Sequence, residues 1–567
     1  MAGASLDGEN RSTGAEAMVR LLAGHGARHV FGLCGDTSLP FYDALARLDH
    51  GMTHVLTRDE RHAAYMADAY ARVTGRPGIC EGPSGGGATY ILPGVAEANE
   101  SSVPVLAITT DVATTSAGRF PLTELDQEAL FRPVTKWNAA IRDAALLPRT
   151  VRRAFREMTT GRTGAVHLSL PFDVQKAPVE EAEVWADERF AVFPALPAAP
   201  DAAAVEAVAS RLIAAKAPVI VVGGGVPLAG AEAALAAVAE TLEAPVATTV
   251  SGQGAMAESH PLCLGVVGSN GGDPATRAVV DAADLVFFVG CRAGSVATER
   301  WRSPGAGAAI VHLDVDPAVL GAAYRTEAAI LADARLGLEA LAQAVKGRAA
   351  PKGGAALVDA AKAAKWAPFH ARAASDDRPI RPERVIAALR AALPDDAVVC
   401  ADPGTPCPYF SAWHDWPKSG RRFLTNRAHG ALGWALGAAV GAQIGRPEAK
   451  VVCAMGDGSF GMSVGELETI VRLDLPITIV VFSNAVFGWI KAGQKAGFDA
   501  RYFSVDFSRT DHAAIAAAYG LKSWRVEDPA ALAGVLADAL SHEGPTLVDV
   551  IAQPLQDAAA PVSEWVA

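Results

Sequence analysis

The sequence predicts an α/β protein built from three consecutive doubly wound parallel-sheet domains. Short β-branched runs alternate with Ala- and Leu-rich helical stretches along the chain, which is the pattern of parallel sheets covered by helices. Pro-, Ala- and Gly-rich stretches interrupt the alternation twice. The 567 residues suit three or four domains of ordinary size.

The first domain is assigned to residues 10–185, with strands in HVFGLCG, THVLT and PVLAITTD. The segment APVEEAEVWADERFAVFPALPAAPD is acidic and then Pro/Ala-rich, and reads as a linker. The second domain is assigned to 200–348. Its strand APVIVV enters Gly223-Gly224-Gly225 and a long Ala-rich helix, and DLVFFVG and AIVHLDVD follow. The stretch KGRAAPKGGAA reads as loop. The third domain is assigned to 376–567, with strands AVVCAD, KVVCAMGD, ITIVVFSN and TLVDVIA. No solenoid-type repeat occurs.

Half of the residues are apolar and 20% are charged, enough to build sizeable cores. A net charge of -12 argues against nucleic acid or an anionic membrane as a general partner. The apolar stretch from Gly430 to Gly445 is too short for a membrane span and reads as a buried helix. Seven scattered cysteines without a CxxC pair fit a reducing, cytoplasmic setting better than disulfides or a zinc site. The opening MAGASLDGENRSTG lacks the apolar core of a signal peptide.

The segment VVCAMGDGSFGMSVGELETIVRLDLPITIVVFSNAVFGWIK carries the most chemistry. A β-run enters Gly456-Asp457-Gly458-Ser459, a helix follows, and a second β-run ends at Ser483-Asn484. Glycines at 456 and 458 allow a tight turn and close ligand approach. Asp457 falls at the carboxyl end of a strand, where open α/β sheets bind ligands. A carboxylate and an amide oxygen at neighbouring strand ends suit a hard cation such as Mg2+. The helix opening at Gly458 and Ser459 offers free N–H groups to a diphosphate. GDGS alone is a common turn. In RDERHAAYMADAYARVTGRPGIC, Glu60 opens a helix whose Ala63, Ala64, Ala67 and Ala71 form a small-residue face. A glutamate in a first helical turn is by itself only a good match to the helix dipole.

Taken together, these segments resemble thiamine diphosphate-dependent enzymes of the acetolactate (acetohydroxyacid) synthase-like superfamily, and the resemblance covers nearly the whole chain. FGLCGDTSLPFYDAL, PSGGGATYILPGVAEANESSVPVLAIT, DQEALFRPVTKW, GGGVPLAGA and VHLDVDP also find counterparts there. The resemblance implies a pyrimidine-binding, a central and a diphosphate-binding domain, in that order. It implies Mg2+ held by Asp457, Asn484 and the Val486 carbonyl, with Phe487 and Gly488 following in the same turn. Glu60 would share a proton with the aminopyrimidine ring and so promote loss of the thiazolium C2 proton. Leu432 would bend the cofactor. Gly85, Gly86 and Gly87 would turn near it, and Gly404, Thr405 and Gly430 would line its site. The cofactor would lie between the first domain of one subunit and the third domain of another, in a homodimer or dimer of dimers (a homotetramer).

Gln127 matches a pocket glutamine of acetolactate synthases and Lys136 a pocket-proximal lysine. Asp36 stands where those enzymes carry glycine and where pyruvate decarboxylase-like enzymes carry an active-site aspartate, but the decarboxylases' paired histidine is missing from GRFPLTELDQ. Asp126 replaces an aromatic residue, and Gly493 lies near the position of an absent tryptophan. A buried Asp36 or Asp126 would have a raised pKa and relay protons; a turn aspartate capping a helix is the alternative for each. Gly223 to Gly225, Arg292, Asp314 and Asp316 resemble FAD-holding positions, but GSNGG replaces a histidine-containing turn, so FAD and an empty fold both stay open.

The leading reading is a carboligase that decarboxylates a 2-oxo acid and transfers the acyl-anion equivalent to a second carbonyl. Glu60, Gln127 and Asp36 would be its catalytic residues. A 2-oxo acid decarboxylase or C–C lyase or hydrolase using Asp36, a flavin-linked oxidase and a non-catalytic cofactor-fold protein are the alternatives.

Overall fold

The computed structural model describes residues 11–565. Residues 1–10, which hold most of the opening stretch and the expected start of the first domain, lie outside them. The chain divides after Leu196 into two compact units.

In the first unit a six-stranded sheet runs in the order Thr53–Leu56, His29–Gly32, Gly78–Gly82, Val105–Asp111, Val166–Pro171, Trp137–Ala140, with every pair parallel. Helices cover both faces, so the inner strands are apolar almost throughout: Ile79, Leu106, Ile108, Val166 and Leu168 are all buried. The helix Glu60–Thr74 begins at Asp59, whose side chain accepts from the Arg61 N–H, and stops at Gly75 in the left-handed region. Its alanine face permits close packing. A Cβ on Gly94 of the helix Leu92–Glu100 would come within 2.4 Å of the Ala64 Cβ. The expected linker is not free chain. Pro178–Glu180 pairs antiparallel with Arg11–Thr13, and Phe190 and Ala195 are buried in the first unit's core.

The second unit holds two more parallel six-stranded sheets. The central one runs Cys263–Val266, Val246–Thr248, Pro218–Val222, Leu285–Val289, Ala309–Asp314, Ala328–Leu331. Numbered along the chain this is the dinucleotide-fold order 3-2-1-4-5-6. The last sheet runs Phe423–Thr425, Val398–Ala401, Val451–Gly456, Thr478–Ser483, Thr546–Ile551, Lys522–Val526, the same order as the first sheet. In both of these the strand order reverses between the first and third strands, so a crevice opens at their carboxyl ends.

Two local expectations are corrected. The long Ala-rich helix after Gly225 is two helices, Gly225–Ala229 and Glu232–Leu242, separated at Gly230, where φ is +61°. The unassigned interval before the third domain is the helix Gly354–Ala373. Its Val358 packs with the central domain and its Phe369 with the last. The stretch from Gly430 contains the buried helix Trp434–Gly445, and among the described residues no helix is long and apolar enough to cross a membrane.

Candidate functional site

In the last domain the strand Val451–Gly456 delivers Asp457 to the switch-point crevice. Its carboxylate is 6% exposed and bonded to three backbone amides. Oδ1 accepts from the Gly458 N–H at 2.9 Å, and Oδ2 accepts from Asn484 at 2.7 Å and Ala485 at 2.6 Å. Oδ1 is thus the less committed oxygen. Burial pushes this carboxyl above its ordinary value, and the three amides oppose the shift. Val486 forms an isolated antiparallel bridge with Asp506. That bridge uses the Phe487 N–H and the Ala485 carbonyl, and leaves the Val486 carbonyl out.

A cavity of about 800 Å³ gathers the residues singled out in this domain. Gly404, Thr405, Gly430, Leu432, the run Gly456 to Ser459, Asn484, Val486, Phe487 and Gly488 all line it. A Cβ on Gly404, Gly430 or Gly456 would meet nothing within 4 Å, so the glycines leave an open cradle. Gly404 and Gly430 also have φ of +98° and +78°, which favour glycine. Gly458 has a different reason: a Cβ there would lie 2.7 Å from the Phe487 ring. Leu432 is only partly buried, so it is a wall residue and not a core leucine.

Asp402, which sequence reasoning passed over, sets the loop that carries Leu432. It is fully buried and accepts from the Gly433 N–H at 3.0 Å and the Ala435 N–H at 2.8 Å, at the start of the helix Trp434–Gly445. Burial pushes its carboxyl up to about 7. Behind the Asn484 turn, the Ser483 hydroxyl donates to buried Asp549 and meets His512 Nδ1 at 2.9 Å. This network holds Ser483 in place behind the turn. The far side of the cavity, also missed, comes from three distant segments. Asn270 and Trp301 belong to the central domain, Arg427 and Trp489 to the last, and Glu564 and Trp565 to the C-terminal segment. Trp489 and Trp565 pack with ring centroids 5.1 Å apart, and Glu564 pairs with Arg300 and Arg302.

In the first unit Glu60 is 8% exposed, and burial pushes its carboxyl up. Its side chain lies against two glycines: a Cβ on Gly87 would sit 3.1 Å from Glu60 Oε1, and one on Gly82 3.5 Å from its Cγ. Gly85, with φ of +67°, makes the turn into the helix Gly86–Tyr90, and Gly86 is open. Nearby Glu81 is fully buried in the strand, accepts from the Tyr42 hydroxyl and lies 3.8 Å from His54 Nε2. Burial raises its pKa, and Glu60 adds to the shift. A carboxylate inside the apolar run GICEG was the signal for it.

Two expected catalytic residues are placed differently. Gln127 is 2% exposed with its amide turned inward: Oε1 accepts from Thr109 Oγ1, and Nε2 donates to the Thr110 carbonyl at 3.0 Å. Both ends are spent, so the amide is not presented to a substrate. Asp36, itself exposed, opens the one-turn helix Asp36–Ser38, and exposed Asp126 caps the helix Gln127–Phe131 through the Ala129 N–H. Both carboxyls are exposed within the single chain. Lys136 donates to the carbonyls of Glu157 and Thr160. In the central domain a Cβ on Gly223 would meet the Gly290 carbonyl at 2.3 Å, and one on Gly225 the Gly290 Cα at 2.7 Å. Backbone packing therefore accounts for those glycines without a nucleotide. Among the described residues none of the seven cysteines forms a disulfide.

Three family models match consecutive parts of the chain. They describe the N-terminal thiamine pyrophosphate-binding domain (residues 12–130), the central domain (205–341) and the C-terminal thiamine pyrophosphate-binding domain (405–550) of thiamine pyrophosphate enzymes. Among full-length relatives, the probable acetolactate synthase large subunit of Methanococcus aeolicus is 34% identical over 95% of this chain and 92% of its own. The acetolactate synthase isozyme 2 large subunit of Escherichia coli is 33% identical over 96% of each chain. The acetolactate synthase large subunit of Lactococcus lactis is 30% identical over 96% of this chain and 93% of its own. Domain order, cavity and whole-length similarity agree, and the chain belongs to the thiamine pyrophosphate enzymes of the acetolactate synthase-like family.

Proposed function

We propose that the protein is a thiamine diphosphate- and Mg2+-dependent carboligase of the acetolactate synthase type. It decarboxylates a 2-oxo acid and joins the remaining acyl unit to a second carbonyl. The observation that carries this reading is the cavity in which Asp457, Asn484 and Val486 lie beside an open glycine cradle.

The donor set fits a hard cation: a carboxylate oxygen with spare acceptor capacity, an amide and a backbone carbonyl outside the local ladder. Asp457, Asn484 and the Val486 carbonyl would hold Mg2+. The Gly458 N–H is already given to Asp457 Oδ1, so the Ser459 N–H, with Gly404 and Thr405 opposite, would receive the diphosphate. Thiamine diphosphate, when bound, supplies the carbanion-stabilising chemistry that no side chain offers. Leu432 would support its ring from below. The buried Glu60 carboxyl, its pKa raised by burial, is suited to holding a proton at the aminopyrimidine nitrogen. Cavity walls such as Trp489 and Phe487 would exclude water, so that the acyl unit meets a carbonyl and not a proton.

The site is completed by a second copy of the chain. In the first unit Phe120 and Leu122 are 96% and 85% exposed, on the loop whose Thr123 packs at Gly85. In the second unit Ile490 on the cavity wall is 54% exposed, and Phe503, bonded to Gln494 of the same helix as Ile490, is 83% exposed. Apolar rims beside both halves are what a subunit interface covers. We assign no step to flavin: backbone packing accounts for Gly223 and Gly225.

The test is incubation of purified protein with thiamine diphosphate, Mg2+ and a panel of 2-oxo acids, with and without aldehydes, and identification of products by mass spectrometry. Ligation products are expected. Aldehyde release alone from every mixture contradicts the carboligase reading in favour of a decarboxylase.

A further inference from the structure

The first unit holds a second carboxyl that the proposed chemistry leaves unused. Glu81 pairs with Gly32 at the last rung between the strands His29–Gly32 and Gly78–Gly82. The strand order reverses between these two, so the Glu81 carboxyl lies at the floor of the crevice. Gly32 makes room for it: a Cβ there would lie 2.7 Å from the Glu81 Cγ. The carboxyl is fully buried, and its two oxygens differ. Oε1 accepts from the Tyr42 hydroxyl, and that hydroxyl lies 2.9 Å from His54 Nε2. The His54 side chain keeps 20% of its surface exposed, so this hydrogen-bonded chain reaches solvent. Oε2 has no hydrogen-bond partner among the described residues. Glu60 stands against the next residue of the strand, with its Cγ 3.5 Å from where a Gly82 Cβ would be. Burial opposes ionisation of Glu81, and the Glu60 charge adds to that. The thiols of Cys34 and Cys80 complete the surroundings, and burial, with Glu81 second, pushes both up and keeps them neutral.

We propose that Glu60 and Glu81 hold one proton between them, and that Tyr42 and His54 form the route by which Glu81 exchanges it with solvent. The proposal rests on the role given to Glu60 above. Two carboxyls that feel each other's charge ionise in two steps, and the first to ionise holds the proton on the second. Glu81 is then a positioning residue: it keeps a proton within reach of Glu60 after Glu60 has ionised. The route has two arrangements that differ only in proton positions. In one, Glu81 Oε1 carries the proton and donates to the Tyr42 oxygen, whose own O–H donates to His54 Nε2. In the other, the Tyr42 proton has passed to Nε2 and the Glu81 proton to Tyr42, so Glu81 is the anion and His54 the cation. His54 gives that proton to solvent, and the reverse sequence reloads Glu81. Oε2 is the oxygen left for exchange with Glu60.

Infrared difference spectroscopy of the cofactor-free protein tests this without turnover. The spectrum of wild type minus Glu81→Gln isolates one carboxyl, which should stay protonated well above the ordinary carboxylate range. In a Glu60→Gln background the same band should titrate about one pH unit lower, because the opposing charge is gone. Tyr42→Phe keeps both carboxyls and cuts the route, so the band should take up deuterium from solvent several-fold more slowly. With thiamine diphosphate and Mg2+ bound and no substrate, hydrogen–deuterium exchange at the thiazolium C2 reports on Glu60. Its alkaline limb should move about one pH unit lower in Glu81→Gln, where Glu60 loses the shared proton sooner. Thermal melting establishes that each variant folds, and Glu81→Leu replaces Glu81→Gln if the amide does not. A Glu81 carboxyl that ionises in the ordinary range overturns the proposal. So does a midpoint unchanged in Glu60→Gln, or an unmoved exchange limb. The infrared results need neither cofactor nor product, so failure of the carboligase reading is distinguishable from failure here.

Discussion

Asp457 Oδ2 accepts hydrogen bonds from the backbone N–H groups of both Asn484 and Ala485, so the carboxylate ending one strand shapes the turn ending its neighbour. The left-handed Ala485, with φ of +58°, is held by this contact. Asp457 therefore has two tasks: it builds the turn that presents Asn484 and Val486, and it offers its other oxygen to a cation.

Replacing Asp457 by Ala should remove both tasks and weaken Mg2+-dependent thiamine diphosphate binding by about 100-fold or more. Asp457→Asn keeps an acceptor for the turn and should lose affinity for lack of charge. Titration calorimetry with and without Mg2+ checks this, and unchanged affinity in Asp457→Ala would reject it as a metal ligand.

Glu60→Gln should abolish turnover while leaving most cofactor affinity, because the amide keeps the shape but cannot shuttle the proton. Gly87→Ala should act on the same group indirectly. Its Cβ would press on Pro83 and on Glu60 Oε1, displacing the carboxyl. Wild-type rates in either variant would contradict the role given to Glu60.

Gly458 and Gly461 lie in the same short helix and should respond oppositely to alanine. At Gly458 the new Cβ meets the Phe487 ring at 2.7 Å, and a cost of about 1–3 kcal/mol is expected. At Gly461 nothing lies within 4 Å, and alanine should be neutral or stabilise by about 0.5 kcal/mol. Chemical denaturation of both variants measures the difference; equal effects would show that the Phe487 contact does not constrain the turn.

Asp402 gives a pH signature. Its folded carboxyl is raised to about 7 from an ordinary 3.8 by burial, so the folded state binds the extra proton between these values. Its contribution to stability is therefore present below the ordinary value, declines as pH rises through about 7, and then levels off. The melting temperature of wild type relative to Asp402→Asn should fall across that window. A difference independent of pH would show that Asp402 is ionised throughout.

What the sequence made legible was local. Gly456-Asp457-Gly458-Ser459 and the Asn484 turn each lie within a few residues of a strand end, and strand ends follow from β-branched runs. Asp59 and Gly75 similarly bound the Glu60 helix. What stayed hidden depends on segments far apart in the chain. The inward turn of Gln127 is decided by Thr109 and Thr110 on a strand, and the seat of Arg427 by Asn270 of another domain. The helix Gly354–Ala373 follows a Gly- and Lys-rich loop and contains Pro368, which masked it.

The central claim, that Glu60 of one subunit serves the cation-anchored cofactor on another, is tested most directly by mixing two inactive variants. Glu60→Gln and Asp457→Ala should each be inactive alone. After subunit exchange, a mixed dimer carries one site with both defects and one site with neither, so activity should reappear. A mixture as inactive as its components, with exchange verified by mass spectrometry, would contradict a site shared between subunits.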